Sequence, residues 1–410
     1  MSLWAGRVEG SLDPAVWEFL RVDDAELLAY DCEATAEHAG RLHAGGLLSD
    51  DELAEVESRL AEIAHDPASY LDSDEDVHSA IERLLGDVGR KIHAGRSRND
   101  QVAAAFRLYA LDACAEAREE IDALALVVLS FAEAEAETVM PGYTHLQRGQ
   151  PVTLGHHLLA WVEMLDRDRS RFAAAAEAAA ESPLGAGALA GSTLPLPPPS
   201  GQMRNSIDAV ADRDFALDYL YATAVLFAHL SRIGEEIVIW ASAEFGFLKL
   251  PEAAATGSSM MPQKLNPDVA ELVRGKAGTA IGRLTGLLAT VKGLPLAYDR
   301  DLQEDKAPVF ACRRDVRNAL QALTVLVSGL EVRRERLAEA ASDPLLLATD
   351  AAEALVVDGV PFRDAHEQVA EQVRDGTFVP PADPAPRPAP GPGGVRAALA
   401  EARERFGDNL

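Results

Sequence analysis

Between Asp31 and Leu85 apolar residues recur at helical spacing, which predicts amphipathic helices. The stretch Ser49–Leu60 starts with Ser49 and has Glu52 three residues on, the signature of a capping box. In the next stretch, Glu75–Leu85, His78 stands one turn from Glu82, a spacing that lets the two pair on a helix face. Ahead of them, Met1–Asp31 reads as an arm followed by a short helix. Further on the periodic runs lengthen. Five long helices are predicted: 101–138, 153–181, a third that Asn205–Phe215 leads into and that runs to about Phe245, 268–290 and 308–340, the fourth opened by Pro267. Pro141–His157 and the Gly-rich Pro183–Pro195 break the series, and no run of alternating strands is visible. The pattern predicts an all-α fold in three parts: 1–100, a central set of long helices over 101–341, and a small part over 342–410. That last part contains a proline-rich spacer, 379–394, expected to be extended rather than packed, and a final helix Val395–Phe406.

With 410 residues and 48% hydrophobic composition, the chain can bury a large core. Its formal net charge of −28 repels nucleic acid and anionic membranes, so neither is expected as a partner. An anionic substrate must then find cations placed locally. Five of the six lysines (Lys249, Lys264, Lys276, Lys292, Lys306) fall close together in a chain that otherwise prefers arginine. Cys32, Cys114 and Cys312 form no metal pattern and no disulfide framework. The N-terminus lacks the basic and apolar regions of a signal peptide, and no apolar run is long enough to span a membrane. Cytoplasm is the expected compartment.

Three stretches carry chemistry. In GSSMMPQKLNPD (Gly257–Asp268) a flexible glycine precedes two hydroxyls, two adaptable methionines, a cation and an amide, the make-up of a loop that closes over a small ligand. In KIHAGRSRNDQVA (Lys91–Ala103) five polar side chains, Arg96 to Asp100, precede a helix expected to begin near Gln101. A helix N-terminus with forked donors suits a carboxylate, and an ordinary N-cap by Asn99 or Asp100 is compatible with that. In PGYTHLQRGQPVTLGHH (Pro141–His157) His145 is the natural acid–base group at neutral pH. The Gly-rich loop Pro183–Pro195 has no preceding strand and no P-loop lysine, so a nucleotide site is rejected.

Together these stretches resemble the fumarase/aspartase superfamily, whose members release fumarate from succinyl-containing substrates. Within it, Gln263 in MPQK and the run GRSRNDQ resemble argininosuccinate lyases; the fumarase branch usually has glycine at the former position and the adenylosuccinate lyase branch histidine. Leu3–Pro14 is similar to the family's N-terminal arm, with Val8 where phenylalanine is usual, and Thr349–Val369 is similar to its C-terminal helical domain. The resemblance implies a central five-helix bundle with small N- and C-terminal domains, in a homotetramer whose active sites draw on three chains. It implies reversible cleavage of argininosuccinate to arginine and fumarate, without cofactor or metal.

Site residues follow from the same resemblance. Ser258 is implied as the base, its alkoxide stabilised by loop N–H groups and Lys264; His145, polarised by Glu271, belongs to the acid–base network with its direction open. Ser97, Arg98, Asn99, Thr144, Lys264, Asn266, Tyr298, Gln303 and Lys306 are implied substrate contacts. One contact departs. Where the family has a substrate-binding serine after Phe19, this chain offers Val22 on a forward alignment or Leu20 on a backward one, with Asp23 and Asp24 nearby as replacements. The alternatives are another fumarate-releasing lyase and a non-catalytic protein on the same scaffold.

Overall fold

The computed structural model describes residues 12–66, 74–383 and 394–407; the family-like arm from Leu3 to Ser11 lies outside them. In chain order the helices are α1 (Pro14–Leu20), α2 (Leu28–Ala44), α3 (Asp50–His65), α4 (Val77–Leu84), α5 (Gly89–Ile92), α6 (Arg98–Ala134), α7 (Leu154–Ala179), α8 (Ser206–Ala211), α9 (Asp214–Ala241), α10 (Asp268–Val291), α11 (Lys306–Ser328), α12 (Arg334–Ala341), α13 (Ala348–Val357), α14 (Phe362–Arg374) and α15 (Val395–Gly407). The five longest, α6, α7, α9, α10 and α11, are the five predicted from periodicity. The lead-in to the third forms its own short helix, α8, which breaks at Asp212–Arg213, where the Arg213 side chain turns fully inward to Asp305. The fifth ends at Ser328, and a short strand at Glu331–Val332 separates it from α12.

The stretch Pro141–His157 was expected to break one long helix and start the next; with the two residues before it, its first part is a hairpin instead. The hairpin is antiparallel, made of β1 (Val139–Thr144) and β2 (Gln147–Thr153). Pro141 lies opposite Pro151, so both prolines, which have no N–H for the ladder, share one rung. Gly155 then lets α7 start against the end of α6: a Cβ there would meet Ala132 O at 2.5 Å.

Two compact units share the chain. The first comprises 1–118, 170–224 and 279–316. Here the Ser49–Glu52 capping box forms as predicted and starts α3. The core is an aromatic cluster: Phe106 meets Phe215 edge-on at 5.2 Å, and Tyr109 lies 4.7 Å from Phe310. The second unit comprises 119–169, 225–278 and 317–410. Trp161 stacks on Trp240 at 5.9 Å, with Glu236 accepting the indole N–H at 2.6 Å. The final helix α15 is docked: Phe406 is buried under Arg169, Arg403 donates to Glu133 at 2.8 Å, and Arg405 donates to Asp166 at 2.6 Å. All three cysteines are buried and free.

Candidate active site

Ser97 caps α6. Its hydroxyl accepts from Asn99 N at 3.3 Å, and its own N–H donates to Asp100 Oδ1 at 2.9 Å, a capping box with aspartate at the third position. The helix therefore starts at Arg98, three residues before the predicted Gln101, and the cap is Ser97 rather than Asn99 or Asp100. The other oxygen of Asp100 accepts from Gly185 N at 3.1 Å and Gly187 N at 2.9 Å. Both glycines have positive φ, 89° and 58°, which suits residues without a Cβ. The Gly-rich loop is thus a seat for the RSRND turn.

A cavity of about 380 Å³ opens in front of this turn. Ser97, Arg98 and Asn99 line it from one side, and Tyr298, Gln303 and Lys306, some two hundred residues on, from another. Six of the expected substrate contacts therefore share one pocket. Arg98 is aimed by Asp76, 3.3 Å from its Nε, and by Ser79 Oγ, which accepts from Nη2 at 2.9 Å. Lys306 is buried and donates to Asp305 Oδ1 at 2.7 Å. Gln303 donates its amide to the carbonyls of Leu20 (3.2 Å) and Arg21 (3.4 Å), and Arg300 donates to Leu20 O at 2.8 Å. These contacts tie the end of α1 to the pocket rim. Burial raises the Tyr298 hydroxyl above its ordinary range, keeping it a hydrogen-bond donor.

The pocket also contains groups not assigned from sequence: Val22, Asp24, His78, His93 and Arg300. Val22, not Leu20, lines the wall. His78 is fully buried and does not pair with Glu82; its Nδ1 is 2.7 Å from Asp31 Oδ2. His93 is the imidazole near Glu82, at 4.0 Å, and burial, with Arg96 and Arg98 adding to it, lowers its pKa to about 4. A neutral ring results at physiological pH. The signal for Asp24 was its place beside the missing serine. For His93 there was none.

The remaining expected residues, Thr144, His145, Ser258, Lys264, Asn266 and Glu271, all belong to the second unit. His145 and Leu146 are the two-residue tip of the β1–β2 hairpin, and both are left-handed, at φ 55° and 56°. Such tips favour Asn and Gly. A histidine and a leucine there cost about 1 kcal/mol each, strain of the kind that collects at functional sites. The turn is exposed.

The Gly257–Asp268 loop is closed by a two-rung ladder, Thr256 opposite Asn266 and Gly257 opposite Leu265. Ser258 Oγ accepts from the N–H groups of Met260 (3.3 Å) and Met261 (3.1 Å), an arrangement that favours negative charge on the oxygen. Lys264 and both methionines are exposed. Glu271, in the first turn of α10, lies 3.9 Å from Arg274. Among the described residues no hydrogen bond or ion pair joins His145, Ser258 and Glu271 to one another.

A sequence pattern described as Lyase matches residues 32–282, and one described as Argininosuccinate lyase C-terminal matches 345–377. The chain is 50% identical over 391 residues to the argininosuccinate lyase of Frankia casuarinae, covering 91% of this chain and 84% of the relative. It is 46% identical over 393 residues to that of Crocosphaera subtropica, covering 90% and 84%. Among solved structures, an EDDS lyase variant with bound fumarate superimposes with a TM-score of 0.79 at 26% identity, covering 98% of this chain and 91% of that one. A class II fumarase from Schistosoma mansoni shares the fold, with a TM-score of 0.76 at 14% identity and coverage of 95% and 90%. Mostly helical among the described residues, and matched along nine-tenths of its length, the chain belongs to the argininosuccinate lyase family.

Proposed function

We propose that the protein cleaves argininosuccinate reversibly to arginine and fumarate, in arginine biosynthesis in the cytoplasm, with no cofactor. The observation that carries the reading is the single cavity in which Ser97, Arg98, Asn99, Tyr298, Gln303 and Lys306 meet, in a chain of this family. The chemistry needs a base for the proton beside a carboxylate, preplaced donors for the charge that develops there, and a proton for the departing guanidino nitrogen. Ser258 takes the proton as an alkoxide held by two backbone N–H groups, the C–N electron pair leaves with the guanidino nitrogen, and the double bond of fumarate forms. Lys264, Asn266 and Thr144 receive the carboxylates. His145, oriented by Glu271, serves the proton transfers. The methionine-bearing loop closes over the site and excludes water.

This reading requires a homotetramer with shared sites. The exposed side of α10 supports assembly. Leu272, Ile281 and Leu288 are half exposed or more, and Gly275, Gly278, Gly282 and Gly286 have open space where a side chain would stand. A helix that buries only the stripe of Ala270, Val273, Ala277, Ala280 and Leu287 within its own chain is built for partners on its other sides. In this proposal 1–100, 101–341 and 342–410 are the N-terminal part, the central bundle and the reduced C-terminal part.

Fumarate release, followed by its ultraviolet absorbance with argininosuccinate, adenylosuccinate, aspartate and malate in parallel, tests the function. Release from argininosuccinate alone is expected. Release from another of the four and not from argininosuccinate would assign a different lyase, and release from none would mark a non-catalytic scaffold.

A further inference from the structure

Behind the Gly-rich loop lies a second cavity, of about 180 Å³, that shares no lining residue with the one in front of α6. Arg41, in the last turn of α2, stands in its wall. The side chain is 7% exposed, and its donors are only partly used. Nε donates to Pro197 O at 2.8 Å, and Nη1 donates to His38 Nδ1 at 3.3 Å. The His38 ring donates from Nε2 to Ala94 O at 3.0 Å while it accepts at Nδ1, so it is neutral, and burial accordingly lowers its pKa to about 3. Arg41 Nη2 has no hydrogen-bond partner among the described residues, and no carboxylate there lies within ion-pairing distance of the guanidinium. Asp100 and Glu37 act on it only from farther off. Both are already engaged, Asp100 by the N–H groups of Ser97, Gly185 and Gly187, and Glu37 by that of Ser200 at 3.3 Å. A nearly buried cation whose direct partners are all neutral has an unmet need for a counter-charge.

We propose that this rear cavity binds a small oxyanion, a free phosphate or carboxylate, held by Arg41 and Gln202 at a site separate from the substrate pocket. The two donors converge: a Cβ built on Gly185 would meet Arg41 Nη2 at 2.8 Å and Gln202 Nε2 at 3.2 Å. Gly185 thus leaves a space between them that any other residue would fill. The hydroxyl of Ser192, on the same wall, accepts from Leu194 N at 3.2 Å and keeps its proton for an anion. The volume suits a small ion rather than a nucleotide. Nor is this a glycine cradle, since the N–H groups of Gly185 and Gly187 point to Asp100 and side chains alone face the ion. In a chain of formal charge −28, a small anion is held only where a cation stands without a carboxylate of its own. The position links the rear cavity to the front one. Gly185 seats Asp100, and Gly95, two residues before Ser97, lines the rear wall with φ 73°, where a Cβ would lie 2.7 Å from Leu196 Cδ1. A bound anion braces both glycines and with them the turn that presents Ser97, Arg98 and Asn99.

Amide hydrogen exchange of the full-length protein, with and without inorganic phosphate or acetate at constant ionic strength, locates the site, and calorimetry gives the affinities. Exchange in residues 185–202 is expected to slow when either probe binds, and the tighter of the two names the group. Arg41→Met is expected to abolish that protection and to weaken binding about 10-fold or more, the worth of a charge-assisted hydrogen bond. Gln202→Leu, at an exposed position outside the substrate pocket, is expected to weaken binding about three- to tenfold, and it decides the matter where Arg41→Met fails to fold. Protection confined to 75–99 and 298–306 would put the anion in the front cavity on Arg98 and Lys306 and overturn the proposal. So would unchanged affinity in the folded variants, or no protection by either probe. None of these readouts needs turnover, so the site stands or falls apart from the reading of the reaction.

Discussion

Lys306 Nζ lies 2.7 Å from Asp305 Oδ1, so the cation expected to hold a substrate carboxylate is fixed by the residue next to it in the chain. Asp305 is completely buried and also accepts from Arg213 Nε; Arg213 Nη1 continues to the carbonyl of Asp212 at 2.7 Å. Burial opposes ionisation of Asp305, and Lys306 and Arg213 outweigh it, holding the carboxyl below the usual carboxylate range. The break between α8 and α9 has its cause here, because Arg213 must leave the helix to reach Asp305.

Asp305→Asn should therefore cost about 3–5 kcal/mol of stability, since it leaves Arg213 buried without a counter-charge. Denaturant unfolding at neutral pH reads it. The lowered folded pKa means the contribution is present above the unfolded value and is lost as pH falls through the folded one, so parent and variant should converge in acid. A variant unfolding with the parent at neutral pH would show that the triad is not a source of stability.

Asp24 predicts the opposite sign. An unfolded aspartate titrates near ~3.9 and this one near about 6, so ionisation costs more in the folded state. The penalty is absent below the unfolded value and complete above the folded one. His78, Asp76 and Lys306 are the charged or titratable groups acting on it. Without ligand, Asp24→Asn should gain up to about 2 kcal/mol above about pH 7, and the gain should fade as pH falls through 6 toward 4. Melting curves across that range decide it. A variant less stable than the parent at every pH would mean that the carboxylate is already satisfied in the empty pocket.

Ser258→Ala should lower turnover about 10²- to 10⁴-fold, the usual worth of a general base, while leaving substrate binding nearly intact. If the variant kept more than a third or so of the parental kcat, the proton would be taken by another group, and His145 is the first alternative.

Much of this was legible from sequence. The five long helices follow from unbroken apolar periodicity, and six pocket residues follow from two motifs that the fold brings together. The misses have physical causes. Two prolines and two glycines made 139–153 read as a breaker, whereas the prolines pair on one rung and the ladder survives. His78 stands one turn from Glu82 in EDVHSAIER, a spacing that allowed that pair; its real partner, Asp31, is 47 positions away, a separation that no helical spacing reveals. The α6 cap fell on Ser97 because Asp100 was already needed by the Gly-rich loop.

Because His145 and Ser258 are proposed to reach one site from different chains, His145→Asn and Ser258→Ala preparations, each inactive, should regain activity after subunit exchange. Some mixed sites then receive both intact residues. Demonstrably mixed tetramers without recovery would contradict the shared site.

The departure at Val22 yields the last prediction. Val22 lines the pocket, and its N–H lies 3.5 Å from Glu75 O, so its side chain stands at the wall where the family's serine is expected. Nothing in this segment supplies the hydroxyl: Leu20 contributes only its carbonyl, which is already taken by Arg300 and Gln303. Val22→Ser removes one methyl group and adds one donor–acceptor group. A neutral hydrogen bond is worth about 0.5–1.5 kcal/mol net, so KM should fall about two- to twelvefold. With the new bond made equally in ground state and transition state, kcat should barely move. Asp24, which lines the same pocket, makes the result informative in both directions. If KM stays put in Val22→Ser but rises sharply in Asp24→Asn, the carboxylate has taken over the serine's task in full. If KM falls in Val22→Ser and rises in Asp24→Asn, each holds a separate part of the substrate.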